Sequence, residues 1–260
     1  MVLQSQLRIY VWLILLNAPP IQTDTYLELT RRGPSSAHTK ICNDTFRTFK
    51  TNPLFKRRVT ESSLIRLLNA TAWKLKDATG LDASPSIRAK NTSTDTGSPE
   101  LQPAKLAATK LNDVTRSDNG SQISESNPGI YVQGMNVLCA PFLYVARSEA
   151  EAFIAFHHFI TRECPGYVRG AMDGVHKGVA LVDRCLAVVD SRLSSYLSIK
   201  GVKAEVYAFA SVLTMCAGTP PLQEVLHLWD FLFAYGAHLN ILCICAQLII
   251  MKEDLLAHPK

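Results

Sequence analysis

Two short strings hold the residues whose types and spacing could do chemistry: Ile41-Cys42-Asn43-Asp44-Thr45-Phe46-Arg47-Thr48 and Tyr131-Val132-Gln133-Gly134-Met135-Asn136. Arg47 and Gln133 stand 86 positions apart. In helical geometry Asp44 and Arg47 share a face, so the carboxylate can hold the guanidinium in one orientation. Arginine does not lose its charge and presents a planar fork of donors, which suits it to negative charge building on a phosphoryl group. A glutamine amide accepts from an attacking water and donates to phosphate at once. The two strings thus read as a charge-supplying arginine and a water-positioning glutamine. Taken alone, each also has an ordinary reading. Asp44-x-x-Arg47 is then a surface ion pair, and Gln133 a polar residue at a helix start after Pro128-Gly129.

The elements that must position these strings read as helices. Val206, Phe209, Ala210, Leu213 and Cys216 form one apolar stripe at helical spacing, and Leu222, Val225, Leu226, Trp229, Leu232 and Phe233 form another. The second stripe has its own punctuation: Thr219 as a cap, Pro220-Pro221 in the first turn and Gly236 as the stop. Phe153, Phe156 and Ile160 make a third stripe, and Val179, Val182, Leu186 and Val189 a fourth. No sustained period-2 alternation bounded by turn signals appears, so the fold is expected to be all-α, without internal repeats. The run Leu239 to Met251, apolar all round, suits a buried central helix. Residues 80–129 break the pattern, being rich in Ser, Thr, Asn, Asp, Lys and Pro with no aromatic residue. Such a segment cannot offset its ordering entropy through burial and is expected to be a disordered polar insertion. Its closure entropy grows only with the logarithm of its length, so its flanks can still pack side by side.

Composition narrows the chemistry. A net charge of +5 spread over 260 residues, without a long basic block, is a weak footprint for nucleic-acid binding. Lys56-Arg57-Arg58 is the densest basic run; it reads as a solvated helix end or, more sharply, as a rim contact to an acidic partner surface. Seven cysteines with no C-x-x-C pair, mostly within apolar runs, read as reduced packing residues of an intracellular protein. No second pair or histidine cluster accompanies Cys243-x-Cys245, so no metal is expected. The pair His157-His158 lies outside any H-E-x-x-H pattern, and nothing such as a G-x-S-x-G turn places Ser, His and Asp as a hydrolytic triad. The apolar runs Ile9 to Leu16 and Leu239 to Met251 are both too short to span a bilayer.

The two strings match in full the I-x-x-D-x-x-R-T and Y-x-Q-G-M-N signatures of the TBC family, the GTPase-activating proteins of Rab-type small GTPases, and on them the chain resembles that family. Leu7-Arg8 with Val11-Trp12, Leu228-Trp229-Asp230 and the apolar helices extend the resemblance over nearly the whole chain except the insertion. The segments Asn43 to Thr48, Leu64 to Ala70 and Leu239 to Cys243 look like the fungal branch that restrains mitotic exit and septation. The resemblance implies an all-α TBC-type domain of two packed helical subdomains. Its N-terminal part, 1–79, carries an arginine finger, and 130–260 carries a glutamine finger. It also implies further helices after the Leu239 to Met251 run, so the chain reads as shortened at its C-terminus. Arg47 and Gln133 are the implied catalytic pair, supplied in trans to a GTPase rather than in an enzyme with its own substrate turnover. Asp44 and Thr48 support Arg47; Ile41, Tyr131 and Met135 pack the carrying helices; Gly134 permits close backbone approach; and Asn136 hydrogen-bonds within the scaffold. No cofactor of the chain's own is implied, since GTP and magnesium ride on the partner. The narrower likeness implies a checkpoint scaffold protein as second partner and the cytoplasm, at the spindle pole body, as location. The competing expectation is a TBC-shaped scaffold that binds a GTPase or checkpoint partner without accelerating hydrolysis; intact Arg47 and Gln133 stand against it.

Overall fold

The computed structural model describes residues 2–79, 130–168 and 172–257, and among them there is no strand. The insertion expected over 80–129 lies outside the described residues. The helices are α1 (Val2–Leu15), α2 (Thr23–Arg31), α3 (His38–Thr45), α4 (Pro53–Arg58), α5 (Glu61–Thr79), α6 (Met135–Val145), α7 (Glu149–His158), α8 (Pro165–Val168), α9 (Asp173–Val189), α10 (Ser191–Ile199), α11 (Ala204–Tyr207), α12 (Phe209–Leu213), α13 (Leu222–Tyr235), α14 (Asn240–Ile250) and α15 (Lys252–Ala257). A π-helical turn, Phe159–Glu163, follows α7, and a 3₁₀ turn, Ala237–Leu239, precedes α14.

Two apolar cores organise these helices. The first is centred on α5 and α6. Leu64, Leu67, Leu68, Thr71, Ala72 and Leu75 recur at helical spacing along α5 and are buried against α2, α3, α6 and α7. On α6, buried residues run from Met135 to Val145 and cover most of its circumference, as its near-continuous apolar sequence requires. Trp12 of α1 and Trp229 of α13, both fully buried, close this core, with ring centroids 5.6 Å apart. The second core gathers Val175, Val179, Val182 and Leu186 of α9 with Leu193, Ala204, Val212, Ile241 and Ile244. Tyr167 and Leu228 pack against both cores, and the Tyr167 hydroxyl donates to the Val212 carbonyl at 2.8 Å.

Side-chain caps set several helix starts. Asn52 accepts from the Phe55 N–H at 3.0 Å with Pro53 in the first turn of α4, and Ser148 accepts from the Glu151 N–H at 3.2 Å to begin α7.

Four expectations from periodicity need correction. Residues 206–216 are not one helix but α11 and α12, parted at Ala208; Val206 is 76% exposed, and the buried positions of the segment are Ala208, Val212, Thr214, Met215 and Cys216. Val189, at the end of the α9 stripe, is exposed, because the helix stops there at Asp190. Thr219 does not cap α13. A residue before proline is pushed toward extended backbone, so Pro220-Pro221 delay the helix to Leu222 and leave Thr219 too far upstream. Gly236 does end α13, at φ +122°. Finally, α14 is not a buried central helix. It lays Ile241, Ile244 and Cys245 on α9 and α12 but leaves Leu242 half exposed and Ile250 84% exposed.

Candidate functional site

The first string forms α3 and the turn after it. Ile41 is fully buried and seats α3 in the first core. Helical pairing stops at Thr45, and the chain tightens through i,i+3 bonds, Arg47 N–H to the Asp44 carbonyl at 3.4 Å and Thr48 N–H to the Thr45 carbonyl at 3.0 Å. Arg47 therefore sits in a turn and not on the helix itself, yet the three-residue spacing still brings its guanidinium onto the Asp44 carboxylate. The Arg47 side chain is 54% exposed while Asp44 is buried. A buried anion thus holds an arginine whose charge faces solvent. The turn continues through Phe49 in left-handed backbone, φ +48°, whose ring lies 4.9 Å from Phe55, and ends where Asn52 caps α4.

The second string forms the entry to α6. Gly134 adopts φ +102°, which favours glycine, and a Cβ there would stand 2.8 Å from Leu213 Cδ2. The left-handed step aims Gln133 outward, while Met135 and Asn136 turn into the core. Among the described residues nothing holds the Gln133 amide.

Side-chain hydrogen bonds join the strings across 87, 88 and 92 positions. The Tyr131 hydroxyl donates to Asp44 Oδ2 at 2.9 Å. Asn136 Nδ2 donates to Thr48 Oγ1 at 2.8 Å and to the Asp44 carbonyl at 3.3 Å, while its Oδ1 accepts from the Gly134 N–H at 3.2 Å. Burial, reinforced by the Asp44 charge, pushes the Tyr131 hydroxyl far above the ordinary tyrosine range, so it stays a proton donor. The Asp44 carboxylate thereby receives two donors, one from each string, and Arg47 is held from a fixed anchor.

Arg47 and Gln133 line the same open cleft of about 710 Å³, with Asp44, Thr48, Gly134 and Asn136 in its wall. Of the residues singled out in sequence, Ile41, Tyr131 and Met135 stand behind it. The cleft lies where the two cores meet: its wall also includes Phe209 and Leu213, which pack against the second, together with Thr214. Sequence reasoning placed Phe209 and Leu213 in a core stripe and missed Lys50 and Asn52, which line the cleft beside Arg47. Their nearness to Arg47 in the chain was the available signal for the latter two.

No three His, Cys, Asp or Glu side chains gather to hold a metal ion among the described residues, and none of the helices is long and apolar enough to cross a membrane. Burial pushes the thiols of Cys139, Cys164, Cys216, Cys243 and Cys245 up, which disfavours their thiolate forms.

The model of the Rab-GTPase-TBC domain family matches residues 121–256. Cell division control protein 16 of Schizosaccharomyces pombe is 42% identical over 255 residues, covering 98% of this chain and 68% of that protein. Mitotic check point protein BUB2 of Saccharomyces cerevisiae is 34% identical over 253 residues, covering 96% and 70%. Among solved structures, the Chlamydomonas flagellar RabGAP TBC domain superposes with a TM-score of 0.68 at 17% identity, covering 98% of this chain and 70% of that one. At that identity the superposition speaks for the fold alone.

Proposed function

This chain belongs to the Rab-GTPase-TBC domain family, and on that premise we propose that it accelerates GTP hydrolysis by a Rab-like small GTPase, supplying Arg47 and Gln133 in trans. The single observation that carries the proposal is that these two residues, far apart in sequence, line one cleft. GTP and magnesium belong to the partner. Arg47 places its fork against the charge that develops between the β- and γ-phosphates, and Gln133 orients the attacking water. The likeness to a cell division control protein and a mitotic check point protein supports a substrate GTPase that acts in cell division; we further propose that it is a GTPase of mitotic exit or septation, restrained by this chain at the spindle pole body beside a checkpoint scaffold.

Single-turnover GTP hydrolysis by a mitotic-exit GTPase and several Rab GTPases tests this reading. Arg47→Ala should lower the stimulated rate by ~10³ to 10⁵, with complex formation retained, because the missing contact belongs to the transition state. Gln133→Ala should also abolish most of the acceleration. Stimulation unaffected by Arg47→Ala would sink the mechanism. Binding without stimulation by the wild-type protein would favour the scaffold role. Stimulation of endomembrane Rab GTPases with the mitotic one untouched would remove the mitotic assignment and leave the chemistry.

A further inference from the structure

We infer that Phe46, Lys50 and Leu54 form the docking surface that seats the GTPase beside Arg47, and that they take an apolar patch rimmed by acidic side chains. The inference rests on the reading of this chain as a GTPase activator and extends it to how the partner is held.

The turn that carries Arg47 contains two phenylalanines with opposite fates. Phe49 turns inward onto Phe55, whose ring in turn stacks on Tyr144 with centroids 6.2 Å apart. Phe46 turns outward and is 55% exposed, with the Lys50 ammonium 5.9 Å from its ring. The next helix repeats the division: Phe55 of α4 is buried and Leu54 is 51% exposed. The packing of this fold leaves about half of each of Phe46 and Leu54 uncovered. An exposed aromatic ring instead suits the centre of an interface, where large rigid side chains act as anchors.

Position decides what covers it. Phe46 precedes Arg47 directly, so their Cα atoms are ~3.8 Å apart. Phe46 and Leu54 do not line the cleft themselves, but Lys50 does, and its ammonium stands by the Phe46 ring, so a protein whose bound nucleotide reaches the Arg47 guanidinium brings its surface close to that ring. Lys50 and Asn52 line the same cleft as Arg47, which makes the surface continuous with the site.

Charge gives the partner's chemistry. Residues 45–60 hold Arg47, Lys50, Lys56, Arg57 and Arg58 and no acid. Arg58 is engaged inward, donating to the Val145 and Ala146 carbonyls at 3.4 Å each. Among the described residues no carboxylate pairs with Lys50, Lys56 or Arg57. An apolar centre with a positive rim matches an apolar patch with a negative one, and complementarity of this kind speeds association.

The test is steady-state stimulation of a Rab-type GTPase loaded with GTP, over a range of GTPase concentrations, by wild type, Phe46→Ala, Phe46→Leu, Lys50→Glu and the distant control Val188→Ala. Phe46→Ala should raise KM by about tenfold or more while kcat stays within about twofold, the reverse of the Arg47→Ala pattern. Phe46→Leu should recover part of the loss. Lys50→Glu should raise KM and weaken its dependence on salt. Val188→Ala, exposed on α9, should match wild type, and Phe46→Ala should melt with wild type because its ring is exposed. A wild-type KM in Phe46→Ala would overturn the docking role, as would a fall in kcat alone, which would make Phe46 a positioning residue for Arg47, or a lowered melting temperature. Wild-type protein that stimulates no GTPase would overturn the activator reading and this inference together, a result distinct from stimulation that Phe46→Ala leaves intact.

Discussion

Asp44 shows how one buried residue can serve two strings. Its partnership with Arg47 is local, set by i,i+3 geometry, and so could be anticipated from spacing even though the arginine proves to lie in a turn beyond the helix. Its partnership with Tyr131 spans 87 positions and depends on how α3 meets the entry to α6, which no local periodicity encodes. The same limit hid the bond from Asn136 to Thr48. Tyr131→Phe removes one donor to the buried carboxylate while keeping the ring. A hydrogen bond to a charged group contributes ~1.5 to 3 kcal/mol, so this variant should unfold at lower denaturant with an unchanged m-value. If Asp44 orients Arg47 through this network, kcat for GTPase stimulation should fall with little change in KM. Unchanged stability and unchanged kcat would reduce the Tyr131 hydroxyl to a bystander.

Among the helices, one acid adds polar bonds to the aromatic packing that joins α1 and α13. Arg8 Nε donates to Asp230 Oδ1 and Oδ2 at 3.0 and 3.1 Å, and the indole N–H of fully buried Trp12 donates to Oδ1 at 2.7 Å. Asp230 is thus neither a cap nor an idle surface acid; it fastens α1 onto the core. Asp230→Ala leaves the Trp12 N–H buried without its acceptor, a loss of ~1 to 3 kcal/mol, whereas Asp230→Asn keeps an acceptor and should lose less. Amide exchange read by mass spectrometry should accelerate first in α1 for Asp230→Ala, with α5 still protected; uniform acceleration would show that α1 and the core open as one unit. The long stripe of α13 was legible because a 14-residue amphipathic helix repeats its pattern several times. The stripe over 206–216 misled because α11 and α12 span four and five residues, little more than one turn each, so tertiary packing around Ala204 and Ala208 overrides any period. At α14 the apolar run was legible, but which of its faces would be covered depended on neighbours that periodicity does not name.

At the scale of the molecule, the cleft lies where two cores meet, and Gly134 is one place where they approach closely. Its φ of +102° belongs to the first core's entry to α6, while the atom a Cβ would strike, Leu213 Cδ2, belongs to the wall from the second. Gly134→Ala therefore introduces two separable faults. Left-handed backbone disfavours a Cβ by roughly 1 to 2 kcal/mol, which should lower stability whatever surrounds the residue. The 2.8 Å approach, in contrast, is to the far end of a flexible side chain and is relieved by moving Leu213, which shifts the cleft wall facing Gln133. Adding Leu213→Ala removes the clash but not the backbone strain. In a double-mutant cycle, stimulated GTP hydrolysis should recover in the Gly134→Ala, Leu213→Ala pair relative to Gly134→Ala alone, while the stability deficit of the first substitution persists. Additive losses in rate would instead mean that Gln133 is placed by its own turn without help from the second core, and the cleft would then be a consequence of the packing rather than a determinant of where the glutamine points.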